Sequence, residues 1–478
     1  MKNINKFKVE INQNVSKALQ VINSNQSGIC FVVDKKNVLK GVISDGDIRR
    51  SLLRGFNLKT KLTKIINKNF VSLNYKKIKK VNSYFNKKIK AIPIVDNQKK
   101  LISIIQEKKT ISLAKPNLSG NELKYLNNCI NSGWISSAGE YVRNFEKKFS
   151  NYTKIKHSLA VSNGTVALQL ALKTLEISYN DEVIVPNLTF ASPVNAVIHA
   201  GAKPVFVDVH EKTYCINENL IERKITKKTK AIIVVHLYGH PANMIKINKI
   251  AQKYHLKIIE DCAEALSSYL GKKHVGNFSD AATFSFFGNK LITTGEGGMI
   301  CFNSKKLKNI AEILRDHGMS KKKKYWHTDI GFNFRLTNIQ AAIGCAQLER
   351  IRWFVKNKKN LVMNYKRELS KINFLSLPHE DKNTTNSYWL YTIRLSYKLK
   401  KFKEKLLKSM NSKGIETRPI FYPMNFMKPY QKYLNKNDTY PISKKLFETS
   451  ISLPSAYNVN RNDVIRISNF FKNYNFDA

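Results

Sequence analysis

Residues 159–175 read LAVSNGTVALQLALKTL, and their pattern decides the architecture. An apolar run of strand length meets a Ser-Asn-Gly-Thr turn and then apolar residues at helical spacing, so a buried strand feeds directly into a helix. Gly164 permits the sharp turn, while Thr165 and the N–H groups of the helix start can hold a phosphate against the positive end of the dipole. A Gly-Thr turn also serves as a plain helix cap, and by itself it leaves both readings open. Further along, VIVP (183–186), PVFVDV (204–209), AIIVVHLYG (231–239) and LKIIEDCAEAL (256–266) alternate with amphipathic helices. Continuously apolar strands are covered on both faces, which predicts an α/β fold with a mostly parallel sheet between helices. Beyond about residue 350 a long helix and a smaller α+β segment follow. The expected division is 1–112, a large domain at 113–350 and a small C-terminal domain at 351–478.

The chain has 478 residues, which at roughly 150 per domain agrees with three such parts. Its 42% hydrophobic and 10% aromatic content excludes intrinsic disorder and fibrous repeats. With 82 basic and 34 acidic side chains the formal charge is +48, the footprint of a nucleic-acid binder. The lysines are spread along the whole chain, however, and no recognition module accompanies them, so no nucleic-acid partner is expected; Lys321 to Lys324 reads as solvated loop. No apolar stretch approaches the roughly 20 residues of a membrane span, and MKNINKFKVE lacks a secretory apolar segment, so a cytoplasmic protein without a membrane partner is expected. The six cysteines are scattered without a CxxC pair, as reduced core residues would be. His236 and His240 form an HxxxH spacing, but the intervening Leu-Tyr-Gly is a strand end and turn, so no metal site is expected.

Residues 29–53, ICFVVDKKNVLKGVISDGDIRRSLL, have a weaker echo in residues 89–111, IKAIPIVDNQKKLISIIQEKKTI. An apolar run, polar turn, second apolar run and charged helix start recur at roughly 60 residues, an internal repeat. This half resembles a CBS-domain pair. The resemblance implies that Ser44 and Asp47 contact the ribose of an adenine nucleotide; helix capping accounts for the same two residues. In the second copy Gln106 and Lys109 take their places, a departure from the family pattern.

The chemistry is concentrated in a third constellation. Asp261 closes the apolar strand KIIE, at the edge where parallel sheets place their ligands, although a carboxylate there also caps helices. Lys290 interrupts the aromatic and glycine-rich TFSFFGNKLITTGEGGMI (283–300), where a desolvated amine would become nucleophilic toward carbonyls and a snorkelling surface lysine is the plain alternative. Together with the phosphate turn and Phe190 in NLTFAS (187–192), these residues stand in the order a pyridoxal phosphate site requires. The helix N-terminus takes the phosphate, the aromatic stacks on the ring, the acid keeps the ring nitrogen protonated and the lysine bonds to the aldehyde carbon.

From about Ile111 to the C-terminus the sequence resembles the DegT/DnrJ/EryC1/StrS family of sugar aminotransferases. The matching segments include GWISSAGEYVRNFE, VSNGTVAL, DEVIVPNLTFAS, IEDCAEALSSYLGK, FSFFGNKLITTGEGG, YWHTDIGFNFRLTNIQAAIG and TRPIFYPM. The resemblance implies the fold type I aminotransferase architecture and a role for each matching position. Lys290 would be the catalytic lysine, Asp261 the partner of the ring nitrogen, Glu264 a neighbour of the cofactor's phenolic oxygen and Phe190 the stacking ring. Gly164, Thr165 and Ser285 would hold the phosphate, joined by Asn333 of a partner subunit, so a homodimer with shared sites is implied. Tyr325, His327 and Arg418 would lie toward the nucleotide end of the substrate, whereas Asn425 stands where relatives carry histidine.

A dehydrating branch of the family has histidine at the lysine position, so Lys290 favours transamination. The branch resembled most closely moves an amino group from L-glutamate to C4 of GDP-4-keto-6-deoxymannose for surface polysaccharide synthesis. A UDP-4-keto-6-deoxy-N-acetylhexosamine is the alternative substrate. A non-catalytic nucleotide-sensing protein is the alternative from another class.

Overall fold

The computed structural model describes residues 4–25, 27–75, 84, 89, 91–106 and 110–476. The chain divides into two compact units, Met1–Lys109 and Thr110–Ala478.

In the first unit β1 (Lys8–Glu10), α1 (Val15–Asn25), β2 (Ile29–Val33), β3 (Leu39–Ser44) and α2 (Asp45–Leu53) are followed by β4 (Leu73–Asn74), β5 (Ala91–Val95) and β6 (Leu101–Gln106). The two three-stranded sheets repeat one another: β1 runs parallel to β2 and β2 antiparallel to β3, as β4 does to β5 and β5 to β6. Even the register irregularity recurs, between Val32 and Val33 and between Ile94 and Val95. The reason is one turn chemistry used twice. Asp34 Oδ1 accepts from the Lys36 and Val38 amides, and Asp96 Oδ1 from those of Gln98 and Lys100. Asn37 and Lys99 then take left-handed φ values of 63° and 59°. The two turns also pair with each other, through an isolated bridge between Val38 and Lys100. Lys109, the counterpart of Asp47, lies outside the described residues.

The second unit opens with α3 (Glu122–Ser132) and α4 (Glu140–Thr153), then alternates β7 (His157–Val161), α5 (Gly164–Thr174), β8 (Glu182–Pro186), α6 (Ala191–His199), β9 (Lys203–Val207), β10 (Thr229–Val235), α7 (Met244–Tyr254) and β11 (Lys257–Asp261). β12 (Ala281–Ser285), β13 (Gly298–Phe302), α8 (Lys305–Arg315), α9 (Asn338–Glu349) and α10 (Ile351–Leu369) complete its first part. The seven-stranded sheet has the order β7-β13-β12-β11-β10-β8-β9. Only β13 runs against the rest. Both faces are covered: along β10, Ala231, Ile233 and Val235 enter one core while Ile232 and Val234 enter another.

A four-stranded antiparallel sheet follows, of β14 (Leu375–Ser376), β15 (Tyr391–Leu395), β16 (Arg418–Pro419) and β17 (Ser450–Leu453) in the order β14-β15-β17-β16. This C-terminal part is joined to the large sheet by buried polar links. Asp208 accepts from the Ile442 and Ser443 amides, and Asn187 exchanges bonds with Asn425. Residues 113–350 and 351–478 therefore belong to one compact unit. All six cysteines are buried and unpaired, and among the described residues no helix is long and apolar enough to cross a membrane.

Candidate active site

Five strand ends meet at the C-terminal edge of the large sheet, where open α/β sheets bind ligands. Asn163 to Thr165 follow β7, Thr189 and Phe190 follow β8, Leu237 and Tyr238 follow β10, Asp261 ends β11 and Ser285 ends β12. All of them line one cavity of about 630 Å³, which Glu264, Asn289, Lys290, Trp389 and Arg418 also border.

The turn that opens α5 is built as an anion cradle. Asn163 caps the helix by accepting from the Val166 amide at 3.0 Å, which leaves the first two helix amides, of Gly164 and Thr165, at the cavity. Thr165 Oγ1 lies 2.7 Å from Ser192 Oγ. A Cβ on Gly164 would stand 2.9 Å from the Ser285 Cβ, so only glycine leaves the cradle its width.

Asp261 and Glu264 are both buried. Burial raises the Asp261 carboxyl against the Ala263 amide bond and the Lys290 charge, which lower it. Burial likewise pushes Glu264 up to about 7, against Lys290 and the Tyr238 amide, which donates to Glu264 Oε2 at 2.7 Å. Lys290 Nζ stands 3.6 Å from Glu264 Oε1 and 3.9 Å from the centroid of the Trp389 ring. Asn289 Oδ1 is buried without a hydrogen-bond partner. The residues fit pyridoxal phosphate: a phosphate cradle, a ring-nitrogen acid and an amine converge on one cavity whose polar groups are incompletely satisfied.

The structure thus brings Gly164, Thr165, Phe190, Asp261, Glu264, Ser285, Lys290 and Arg418 together. Phe190 is half exposed and packs 5.5 Å from Phe421. Asn333, Tyr325 and His327 do not line this cavity. They sit on the excursion between α8 and α9, where Asn333 bridges to Asp316 and His327 to Met319, and Tyr325 and Ile330 are exposed. Asn425 is engaged with Asn187, tying the segment after Pro423 to the end of β8. Among the wall residues that sequence reasoning missed are Tyr238, Trp389 and Asn289. For Tyr238 the signal was the Tyr-Gly turn, where it adopts φ 54°; Trp389 carried none.

Ser44 and Asp47, in contrast, are satisfied by each other. The Asp47 amide donates to Ser44 Oγ, while the Ser44 amide and hydroxyl donate to Asp47 Oδ2, forming a capping box at α2; Arg50 takes Oδ1 at 2.7 Å. His236 is no partner of His240. Its Nε2 lies 3.0 Å from Glu260 and its Nδ1 accepts from the Ala242 amide, so Nε2 carries the proton. Glu260, His236 and Cys262 lie close enough to hold an ion, but Glu260 is also bound by the Gly276 and Phe278 amides and by Ser279. His236 and Glu260 are thereby engaged in a buried hydrogen-bond network.

Residues 116–472 match the DegT/DnrJ/EryC1/StrS aminotransferase family, and residues 3–54 match the CBS domain. The chain is 44% identical over 359 residues to the GDP-perosamine synthase of Escherichia coli O157:H7, covering 75% of this chain and 97% of that protein. It is 40% identical to the one from Vibrio cholerae, over 76% and 99% of the two chains, and 42% identical to the one from Caulobacter vibrioides, over 75% and 96%. Among solved structures it is similar to Helicobacter pylori PseC, an aminotransferase involved in the biosynthesis of pseudoaminic acid, with TM-score 0.73 and 27% identity over 76% of this chain and 98% of that one. The Streptococcus pneumoniae protein Spr1654 in its PLP form matches with TM-score 0.72 and 26% identity, over 76% and 98%. The chain belongs to the DegT/DnrJ/EryC1/StrS aminotransferase family and is a pyridoxal-phosphate-dependent sugar aminotransferase.

Proposed function

We propose that the protein transfers the amino group of L-glutamate to C4 of GDP-4-keto-6-deoxymannose, giving GDP-perosamine for surface polysaccharide. The observation that carries the substrate is the 40–44% identity to three GDP-perosamine synthases over nearly their whole length. When bound, pyridoxal phosphate supplies the electron sink of the reaction. The chain supplies the rest. Gly164, Thr165 and Ser285 hold the phosphate, Phe190 stacks on the ring, Asp261 keeps a proton on the ring nitrogen and Glu264 stands by the phenolic oxygen. Lys290 Nζ accepts and returns the proton that moves during amino transfer, and its place between Glu264 and Trp389 supports that role. Arg418, at the mouth of the cavity, suits the diphosphate of a sugar nucleotide.

The active unit in this reading is a homodimer in which Asn333, Tyr325 and His327 of one chain complete the site of the other. Their distance from their own cavity and the exposed Tyr325, Trp326 and Ile330 support it. The N-terminal module binds an adenine nucleotide at Ser44 and Asp47 and thereby shifts activity, an expectation carried by its CBS match alone. A cytoplasmic location fits the six unpaired cysteines.

The test is turnover with L-glutamate and either GDP-4-keto-6-deoxymannose or a UDP-linked 4-keto-6-deoxy-N-acetylhexosamine, with products read by mass spectrometry. An amino sugar formed only from the GDP substrate is expected. Amination of the UDP sugar alone would replace the substrate, and amination of neither would reject both.

A further inference from the structure

Trp389 lies two residues before β15 and is 6% exposed, yet its ring forms one wall of the cavity. Its position is fixed from three sides. The ring Nε1 donates to the Asn289 carbonyl at 2.8 Å, which ties the ring to the residue preceding Lys290. Its own carbonyl accepts from Lys358 Nζ at 3.0 Å, and the same buried ammonium donates to the Ser455 carbonyl at 2.6 Å. In front, the ring is near-parallel to Tyr238, 6.1 Å away, and to Phe421, 6.3 Å away. Tyr238 in turn presents its backbone amide to Glu264, and Glu264 faces Lys290. The contacts close a circuit from Lys290 through Trp389, Tyr238 and Glu264 back to Lys290.

A lysine side chain has many rotamers, so an amine that must strike one carbon gains from being held. The Glu264 carboxyl at 3.6 Å and the Trp389 face at 3.9 Å provide two such restraints, because a desolvated ring face attracts a cation. We infer that Trp389 is a positioning residue for the reacting amine: its ring is the platform that keeps Lys290 Nζ directed at the cofactor site whenever the lysine is not bonded there, with Lys358 and Asn289 anchoring the platform. This rests on the reading of Lys290 as the cofactor lysine.

The step to observe is the addition of the Lys290 amine to the aldehyde carbon of pyridoxal phosphate, which forms a carbon–nitrogen double bond and releases one water. Cofactor-depleted full-length protein is mixed with pyridoxal phosphate, and the covalent product is trapped by borohydride at successive times. The affinity for pyridoxamine phosphate, which has no aldehyde to capture, is measured in parallel. Trp389→Leu is expected to slow capture about tenfold while changing the pyridoxamine phosphate Kd less than about threefold. Trp389→Phe, which keeps an aromatic face, is expected to stay within about threefold of wild type in both. If the leucine variant does not fold, Trp389→Met takes its place with the same expectation. Capture at the wild-type rate by the leucine or methionine variant would overturn the inference. So would an equal loss of capture and pyridoxamine phosphate binding, which is what a merely structural tryptophan gives, or a phenylalanine variant as slow as leucine. Wild-type protein that captures no pyridoxal phosphate would overturn both this inference and the reading beneath it.

Discussion

The start of α2 and the large cavity both gather polar side chains at the end of a strand, and they differ in how those groups are satisfied. Ser44 and Asp47 spend their hydrogen bonds on each other and on Arg50, which holds the Asp47 carboxyl below its ordinary value despite partial burial. Asp261 and Glu264 are more deeply buried, and burial raises both. One arrangement stabilises a helix. The other holds two carboxyls whose proton affinity burial raises, Glu264 up to about 7, as is common where a site does chemistry. The same residue types therefore mean different things according to what remains unpaired around them.

The largest effect is expected at the cavity. Lys290→Ala is expected to lower turnover roughly 10⁴-fold, the upper range for loss of a group that moves a proton, with the fold intact by circular dichroism. Activity within tenfold of wild type would remove Lys290 from the reaction.

Next in size is the pH dependence of cofactor-free protein. Folded Glu264 keeps its proton up to about pH 7, whereas the unfolded chain loses it near 4.5, so the folded state binds more protons between these values. Stability from this group accordingly falls as pH rises from about 4.5 to 7, by at most about 3 kcal/mol. Lys358 acts in the opposite sense. Burial lowers its amine from 10.5 to about 7, so the unfolded chain binds more protons between pH 7 and 10.5 and stability rises there, by at most about 5 kcal/mol. Denaturant melts across pH should show Glu264→Gln flattening the acid limb and Lys358→Met the alkaline limb. Unchanged slopes in either variant would contradict the burial account.

A smaller effect is expected at the cradle. Gly164→Ala places a Cβ 2.9 Å from that of Ser285 and is expected to weaken pyridoxal phosphate binding about tenfold, read by titration of cofactor fluorescence. The smallest is at the capping box, where Ser44→Ala should cost the N-terminal unit about 1 kcal/mol and leave kcat without added nucleotide unchanged. A kcat change above twofold there would mean that the capping box reaches the chemistry.

Part of the cavity lining was legible in the sequence because it lies at strand ends, and apolar runs announce strand ends. Gly164 and Asp261 each close or follow such a run, whereas Ser285 was reached only through the family resemblance. Trp389 was not legible, since its role depends on a bond to Asn289 across 100 residues and on a ring face that no local pattern encodes. The N-terminal repeat was legible from two apolar runs separated by a polar turn, recurring at roughly 60 residues. The separation expected at residue 350 did not foresee Asp208 and Asn187 reaching across to residues 442, 443 and 425, because buried side-chain links leave no trace in hydropathy.

In the proposed reaction Lys290 bonds to the cofactor and the neighbouring Lys358, whose amine burial lowers to about 7, does not. Borohydride reduction of the pyridoxal-phosphate-loaded protein followed by peptide mapping tests it directly. The phosphopyridoxyl label is expected on Lys290 alone; a label on Lys358, or on surface lysines without Lys290, would remove Lys290 from this role.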